Sequence, residues 1–312
     1  MTKLTTKDRI EGGLIGLLLA DSIGVPYEFH TPESVAAAGE IGLHPPPHFD
    51  RAHPGTPAGT WSDDGATALC LLESLLECGR LDLEDLARRL LAWLDRGHLA
   101  VDNRVFDVGI TTSRALSAFR AGTSAERCGP AHESANGNGS IMRVAPLALW
   151  HQGTDAELVE DAMRQSIVTH GHVRSQLCCA LYVLWARRLL QERPDPWADA
   201  CASLRALLVS RPGHLRELEE KVLRFDEPGG SGYVVDCLHS ARVCLEQPTY
   251  KDVVTAAVRM GNDTDTTACV AGALAGIRHG LGGIPAAWRK GLRGEALNRP
   301  LLDRLVARVA AV

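Results

Sequence analysis

Two carboxylates and two hydroxyls stand in four consecutive positions at Asp263, Thr264, Asp265 and Thr266, and a run of small and apolar residues follows from Ala268 to Ile277. The run reads as a helix. Acids at its start suit a helix N-terminus, where free N–H groups and the dipole favour negative charge. A cap needs one oxygen, and this stretch offers several. Mg²⁺ and Mn²⁺ are hard cations that take carboxylate and hydroxyl oxygens. Alone, the stretch fits a cap and a metal site equally well. A second oxygen-rich cluster, Ser62, Asp63 and Asp64 after Trp61, opens a second apolar helix through Ala66, Leu69, Cys70, Leu72, Leu75 and Leu76 to Gly79. Ser62 can be an N-cap, but two acids behind it exceed what a cap requires. Two such clusters, each at a helix start, favour one shared cation site.

Other residue types that could do chemistry are scattered. Glu28 follows the end of the first apolar helix, and Asp107 stands near the start of a helix reaching Phe119, where a cap is the default reading. Gly137, Asn138, Gly139 and Ser140 form a Gly-rich loop whose N–H groups could cradle phosphate. The loop lacks the Gly-Lys ending of a P-loop and no strand precedes it, so P-loop and dinucleotide folds are disfavoured; such a stretch is otherwise a turn. His170 sits at a helix junction, where a structural role is the default. A glycine loop runs from Asp226 to Gly232.

The elements that must position these residues are helices. Thr6 to Ala20 reads as the first, with Thr6 as its cap and Asp21 ending it; Gly12, Gly13 and Gly16 within it point to close helix packing. Residues 30–60 carry Pro45, Pro46, Pro47, Pro54 and Pro57 and read as a long loop, taken as an active-site flap. Further helices are expected at 83–94, 107–119, 156–168, 173–190, 198–209, 215–224, 233–245 and 251–260. The tail, 285–312, reads as amphipathic helix broken at Gly294 and Pro300. No alternating strands or repeats appear, so the fold class is all-α in a single domain.

Composition bounds the function classes. A net charge of −5 gives no general pull toward nucleic acid or anionic membrane. Nine cysteines without a C-x-x-C pair, mostly in apolar helical patterns, read as buried hydrophobes in a reducing compartment. No zinc spacing occurs among the histidines. The apolar stretch from Leu14 to Ala20 is too short to span a bilayer, and the expected location is the cytoplasm.

Taken together, these motifs resemble the ADP-ribosylglycohydrolase family. The residues that carry the resemblance are Gly16 to Phe29, Trp61 to Asp64, Asp107 to Gly109 with Thr111 and Thr112, Gly137 to Arg143, Thr169 and His170, Ser231 to Val234, and Gly261 to Thr267. The resemblance implies a compact many-helix orthogonal bundle with a dinuclear Mg²⁺ or Mn²⁺ site at helix N-termini. It assigns Ser62, Asp63, Asp64, Asp263, Asp265 and Thr266 as metal ligands. Glu28 matches an acid beside the metals, Asp107 an acid near the scissile bond, and Gly137 to Ser140 a diphosphate-contacting loop. Ser231, Gly232, Tyr233 and Val234 match a segment near adenosine, with Tyr233 placed to stack on adenine. Two positions depart from the family pattern: Gly65 stands where threonine usually follows the two acids, and Asn262 replaces a frequent glycine. The implied activity is release of ADP-ribose from an ADP-ribosylated protein, foremost from arginine. The alternatives are a serine-linked, poly-ADP-ribose, O-acetyl-ADP-ribose or modified nucleic acid base substrate, and a non-catalytic, crystallin-like member.

Overall fold

The computed structural model describes residues 4–310. Among them the regular structure is helical, with one isolated bridge between Gly137 and Tyr233 and no strands. The helices are α1 (Thr6–Gly24), α2 (Pro32–Ala37), α3 (Asp63–Cys78), α4 (Leu83–Arg96), α5 (Ile110–Arg120), α6 (Ala145–Trp150), α7 (Asp155–Ile167), α8 (Val173–Leu190), α9 (Pro196–Leu207), α10 (Pro212–Glu217), α11 (Val234–Cys244), α12 (Tyr250–Arg259), α13 (Thr264–Gly283), α14 (Ala286–Gly291) and α15 (Glu295–Ala310).

The centre is the pair α1 and α13, which touch each other more extensively than any other two helices. Both are buried around most of their circumference, as expected of helices apolar on every side. Glycines bring them together. A Cβ on Gly276 would lie 1.9 Å from the Gly12 carbonyl oxygen, and one on Gly16 would lie 2.6 Å from that of Gly272. The expectation of close packing at Gly12 and Gly16 is met. Around this pair, α12, α11 and α8 pack on α13, while α3 carries its own buried face against α4 and α6. All nine cysteines are free, and all except Cys78 are buried.

Several boundaries differ from the sequence reading. Helix α1 continues through Asp21 to Gly24, and its cap is Thr5, in a reciprocal box with Asp8. The apolar stretch is thus longer than read: Thr6–Tyr27 matches a membrane span by length and composition, yet nearly all of it is buried within the fold. The proline-rich segment contains a short helix, α2, begun by Thr31 as cap and Pro32 at its first position. Asp107 lies outside helix: its φ is 56° and α5 starts only at Ile110. A five-residue π-helical turn, Leu218–Val222, continues α10. Pro300 does not break the tail; it is accommodated inside α15, and the break falls at Gly294, with φ 70°. Residues 311–312 of the expected tail helix lie outside the described residues.

Candidate metal centre and active site

The N-termini of α3 and α13 converge, so the two acidic clusters meet although 202 residues separate Asp64 from Thr266. Thr266 Oγ1 donates to Asp64 Oδ2 at 3.2 Å, and Ser62 Oγ donates to the same oxygen at 3.3 Å. Ser62 is the true cap of α3, its Oγ accepting from the Asp64 N–H. Asp263 occupies the cap position of α13 but makes no cap bond. Its Oδ2 accepts from Asn138 Nδ2 at 2.9 Å instead. Capping therefore accounts for one hydroxyl and leaves the acids unexplained.

Asp21, Glu28, Asp63, Asp64 and Asp265 are buried, and Asp263 is half-buried beside them. Among the described residues no lysine or arginine forms an ion pair with any of them. Asp64 Oδ1, Asp263 Oδ1 and Asp265 Oδ2 are buried without a hydrogen-bond partner. Such orphaned carboxylate oxygens are costly unless a cation takes them. Burial, and then mutual repulsion, pushes the Asp63, Asp64 and Asp265 carboxyls well above the ordinary range. The donor set is all oxygen, as hard divalent cations require, and the residues fit them.

A second layer holds this arrangement. Asp21, on α1, accepts from the backbone N–H groups of Ser62 at 3.0 Å and Gly65 at 2.8 Å, fixing the loop that carries Asp63 and Asp64. Burial pushes Asp21 up to about 7 against the pull of those N–H groups. Gly65 fits this spot because a Cβ there would lie 2.7 Å from Trp61 Cγ; the departure from threonine leaves α3 regular. Glu28 is clasped to the second cluster: Phe29 N–H donates to the Asn262 carbonyl at 2.7 Å, and Asn262 N–H donates to the His30 carbonyl at 2.7 Å. Asn262 has φ 60°, which glycine or asparagine adopts readily, so the replacement is physically mild.

Glu28 faces two groups of partners. Its carboxylate comes within 4.8 Å of Asp263 and Asp265 on one side and of His53 and Asp107 on the other. His53 Nε2 lies 2.6 Å from Glu28 Oε2. Burial, with the charges of Asp107, Asp263 and Asp64, pushes Glu28 up to about 10, while burial lowers His53. His53 had no sequence signal, being a lone histidine in a proline-rich segment. The role of Asp21 was equally hidden, because its partners are backbone groups.

The Gly-rich loop lies beside the acidic clusters. Gly137, Asn138 and Gly139 line the cavity together with Glu28, Asp63, Asp107, His170, Gly232, Asp263 and Thr266. Ser140 does not: it is fully buried, and its hydroxyl is engaged by Ser166 Oγ at 2.9 Å and Cys179 Sγ at 3.4 Å. His170 packs against Gly139, and burial beside Arg143 pushes it down to about 3, so it is neutral. Arg143 braces the loop by donating to the Gly139 carbonyl and Thr169 Oγ1. Of the Ser231–Val234 segment only Gly232 reaches the cavity; Val234 is buried, and the Tyr233 hydroxyl accepts from Arg174 at 3.1 Å. Asp236, not singled out in the sequence, orders this segment by accepting from the N–H groups of Gly229, Gly230 and Ser231. The ordered loop in turn presents carbonyls: Asp263 N–H donates to Gly230, and Asn138 N–H to Gly232.

The cavity among these residues measures about 210 Å³. A larger one of about 710 Å³ opens among Arg9, Trp185, Trp197, Arg242 and Arg278, but it holds none of these acids and lies at the other ends of α1 and α13. Chemistry, rather than size, selects the smaller.

The chain is similar to known proteins over nearly its whole length. A sequence model described as ADP-ribosylglycohydrolase matches residues 2–312. An ADP-ribosylarginine hydrolase of Pseudomonas putida is 32% identical over 285 residues, 90% of this chain and 73% of that protein. An ADP-ribosyl dinitrogen-reductase glycohydrolase of Rhodospirillum rubrum is 29% identical, covering 98% of both chains. A solved structure titled an ADP-ribosylglycohydrolase-related protein complex superposes with TM-score 0.72 at 28% identity, over 98% of both chains.

Proposed function

Because the chain belongs to the ADP-ribosylglycohydrolase family, and so is a hydrolase of glycosidic bonds to ADP-ribose, we propose that its substrate is ADP-ribose linked to arginine on protein. The observation that carries this reading is the sign of charge at the cavity. Asp107 and Glu28 line it, and no lysine or arginine does. A guanidine leaving group is cationic, and an acidic wall receives it better than a neutral or anionic one. The name of the Pseudomonas putida relative supports the same linkage.

The residues take the following parts in this reading. Ser62, Asp63, Asp64, Asp263, Asp265 and Thr266 hold two divalent cations, Mg²⁺ or Mn²⁺. Such cations supply Lewis acidity and fixed positive charge toward ribose oxygens. The N–H groups of Gly137 and Gly139 meet the diphosphate, while the Asn138 N–H stays on the Gly232 carbonyl. Ser140 supports that loop from the core. His170, neutral, forms the loop's back wall. Gly232 borders the adenosine side, with Ser231, Tyr233 and Val234 shaping its turn. Glu28, within reach of His53 Nε2, and Asp107, which receives the guanidine, are the acid–base candidates. The whole chain works as one domain, in the cytoplasm, on an ADP-ribosylated protein.

The test is release of ADP-ribose from proteins modified on arginine or on serine, and from O-acetyl-ADP-ribose, with Mg²⁺, with Mn²⁺ and with neither. Arginine should be released fastest, and only with a cation. Faster release from serine or the acetyl ester would overturn the linkage.

A further inference from the structure

The most exposed large hydrophobic side chains among the described residues are Phe29, Ile110, Val209 and Val243. Two of these stand at the mouth of the acidic cavity. Phe29 follows Glu28, and Ile110 lines the cavity beside Asp107; each is 72% exposed. Phe29 also has φ 64°, a left-handed conformation that strains an aromatic residue. Its backbone is held there by Asn262, so the fold maintains a strained turn that lifts a ring into water.

The ring is not isolated. It lies 5.7 Å from the His53 ring, which lies 5.0 Å from Phe106, and the Arg104 guanidinium sits 6.0 Å from the Phe106 centroid. Phe29, His53 and Phe106 therefore form a row of rings that ends in a cation, with Phe29 and Arg104 exposed and His53 and Phe106 partly buried between them. The cavity behind it measures about 210 Å³ and lies among the acids. A folded protein cannot enter so small a cavity, so one that carries the modification must rest on its rim. Exposed aromatic and arginine side chains beside a cleft are the composition of protein-binding surface.

We propose that Phe29, His53 and Phe106, with Ile110, form the docking surface for the polypeptide that carries the ADP-ribosylated side chain. The inference rests on the reading of the chain as a hydrolase of ADP-ribosylated protein. It says that this rim reads the protein, while the cavity reads the ADP-ribose.

The test compares two substrates of one linkage: free ADP-ribosyl-arginine and a folded protein mono-ADP-ribosylated on arginine. Phe29→Asn removes the ring but suits the left-handed turn. It should raise KM for the modified protein about tenfold, the scale of one interface anchor. Turnover of free ADP-ribosyl-arginine should stay within about twofold. Phe29→Leu, which keeps an apolar side chain, should lose less. Equal loss on both substrates, no loss on the protein, or a change in oligomeric state that marks the strip as a self-contact would overturn the proposal. If the wild type releases ADP-ribose from neither substrate, the arginine reading fails instead. The surface is then judged by binding of the same modified protein to metal-depleted enzyme: about tenfold weaker binding by Phe29→Asn sustains it, and equal binding overturns it.

Discussion

Asp21 lines no part of the cavity, yet one carboxylate there sets the position of two others. By accepting from the Ser62 and Gly65 N–H groups it closes the turn that aims Asp63 and Asp64 at the second cluster. Asn at this position keeps the shape but turns an N–H₂ group toward a backbone donor, so one N–H loses its partner. Outer-shell losses of this kind weaken metal binding about 10–100-fold. Asp21→Asn should therefore bind Mn²⁺ more weakly by that factor in calorimetric titration, with unchanged helix content by circular dichroism. Unchanged affinity would mean that the turn holds itself. At this scale the ligating acids were legible, because two acids at a helix start exceed what a cap needs. Asp21, Asp236 and His53 were not. The first two act on backbone N–H groups, which every sequence has, and His53 pairs with Glu28 only because the proline-rich segment folds back over it.

The elements matter because each cluster rides on a helix whose position is set by small residues far from the chemistry. Helix α13 carries Asp265 and Thr266 in its first turn, and it meets α1 so closely that no Cβ fits between them at Gly12 and Gly276. Gly276→Ala forces the pair apart or bends it, and overpacking of this kind costs about 1–3 kcal/mol. The expected outcome is a thermal midpoint lowered by several degrees and weaker Mn²⁺ binding in the same protein, since the N-terminus of α13 moves with the helix. Gly282→Ala is the control: nothing lies within 4 Å of its Cβ, and alanine favours helix over glycine by about 0.5–1 kcal/mol. A Gly276→Ala protein as stable as the control would show that the crossing tolerates a methyl group. Helix existence was readable from apolar spacing, and Gly12 and Gly16 already signalled the close approach. Helix ends were less so. Helix α1 runs on through Asp21 because that residue finds backbone donors in the core, and Pro300 is tolerated because α15 accommodates it. The first outcome depends on partners distant in sequence.

For the whole molecule, the acids pose a balance between protons and cations. Folding gathers Asp21, Glu28, Asp63, Asp64 and Asp265 into the interior, and burial raises every one of their carboxyls above the ordinary values of 3.8 and 4.5. A raised folded-state value means that the native chain binds more protons than the unfolded one above about pH 4, so metal-free stability from these groups falls as pH rises. For Asp21 the loss runs up to about 7, and for Glu28 to about 10. His170 acts in the opposite direction: held down to about 3, it contributes stability above its ordinary value of 6.5 and loses it in acid. A cation competes with the protons these acids hold, so it stabilises more as pH rises. At a hundredfold excess over Kd, binding adds about 2.7 kcal/mol. The increase in unfolding midpoint on adding Mg²⁺ or Mn²⁺ to chelator-treated protein should thus be larger at about pH 8 than at about pH 5. Asp64→Asn should flatten that dependence, since it removes one of the groups that exchanges a proton for the cation. A midpoint shift that is the same at both pH values, in a protein that does bind the cation, would mean that the acids are already ionised without it, and the gathering of unpaired carboxylates at the ends of α3 and α13 would need another source of positive charge.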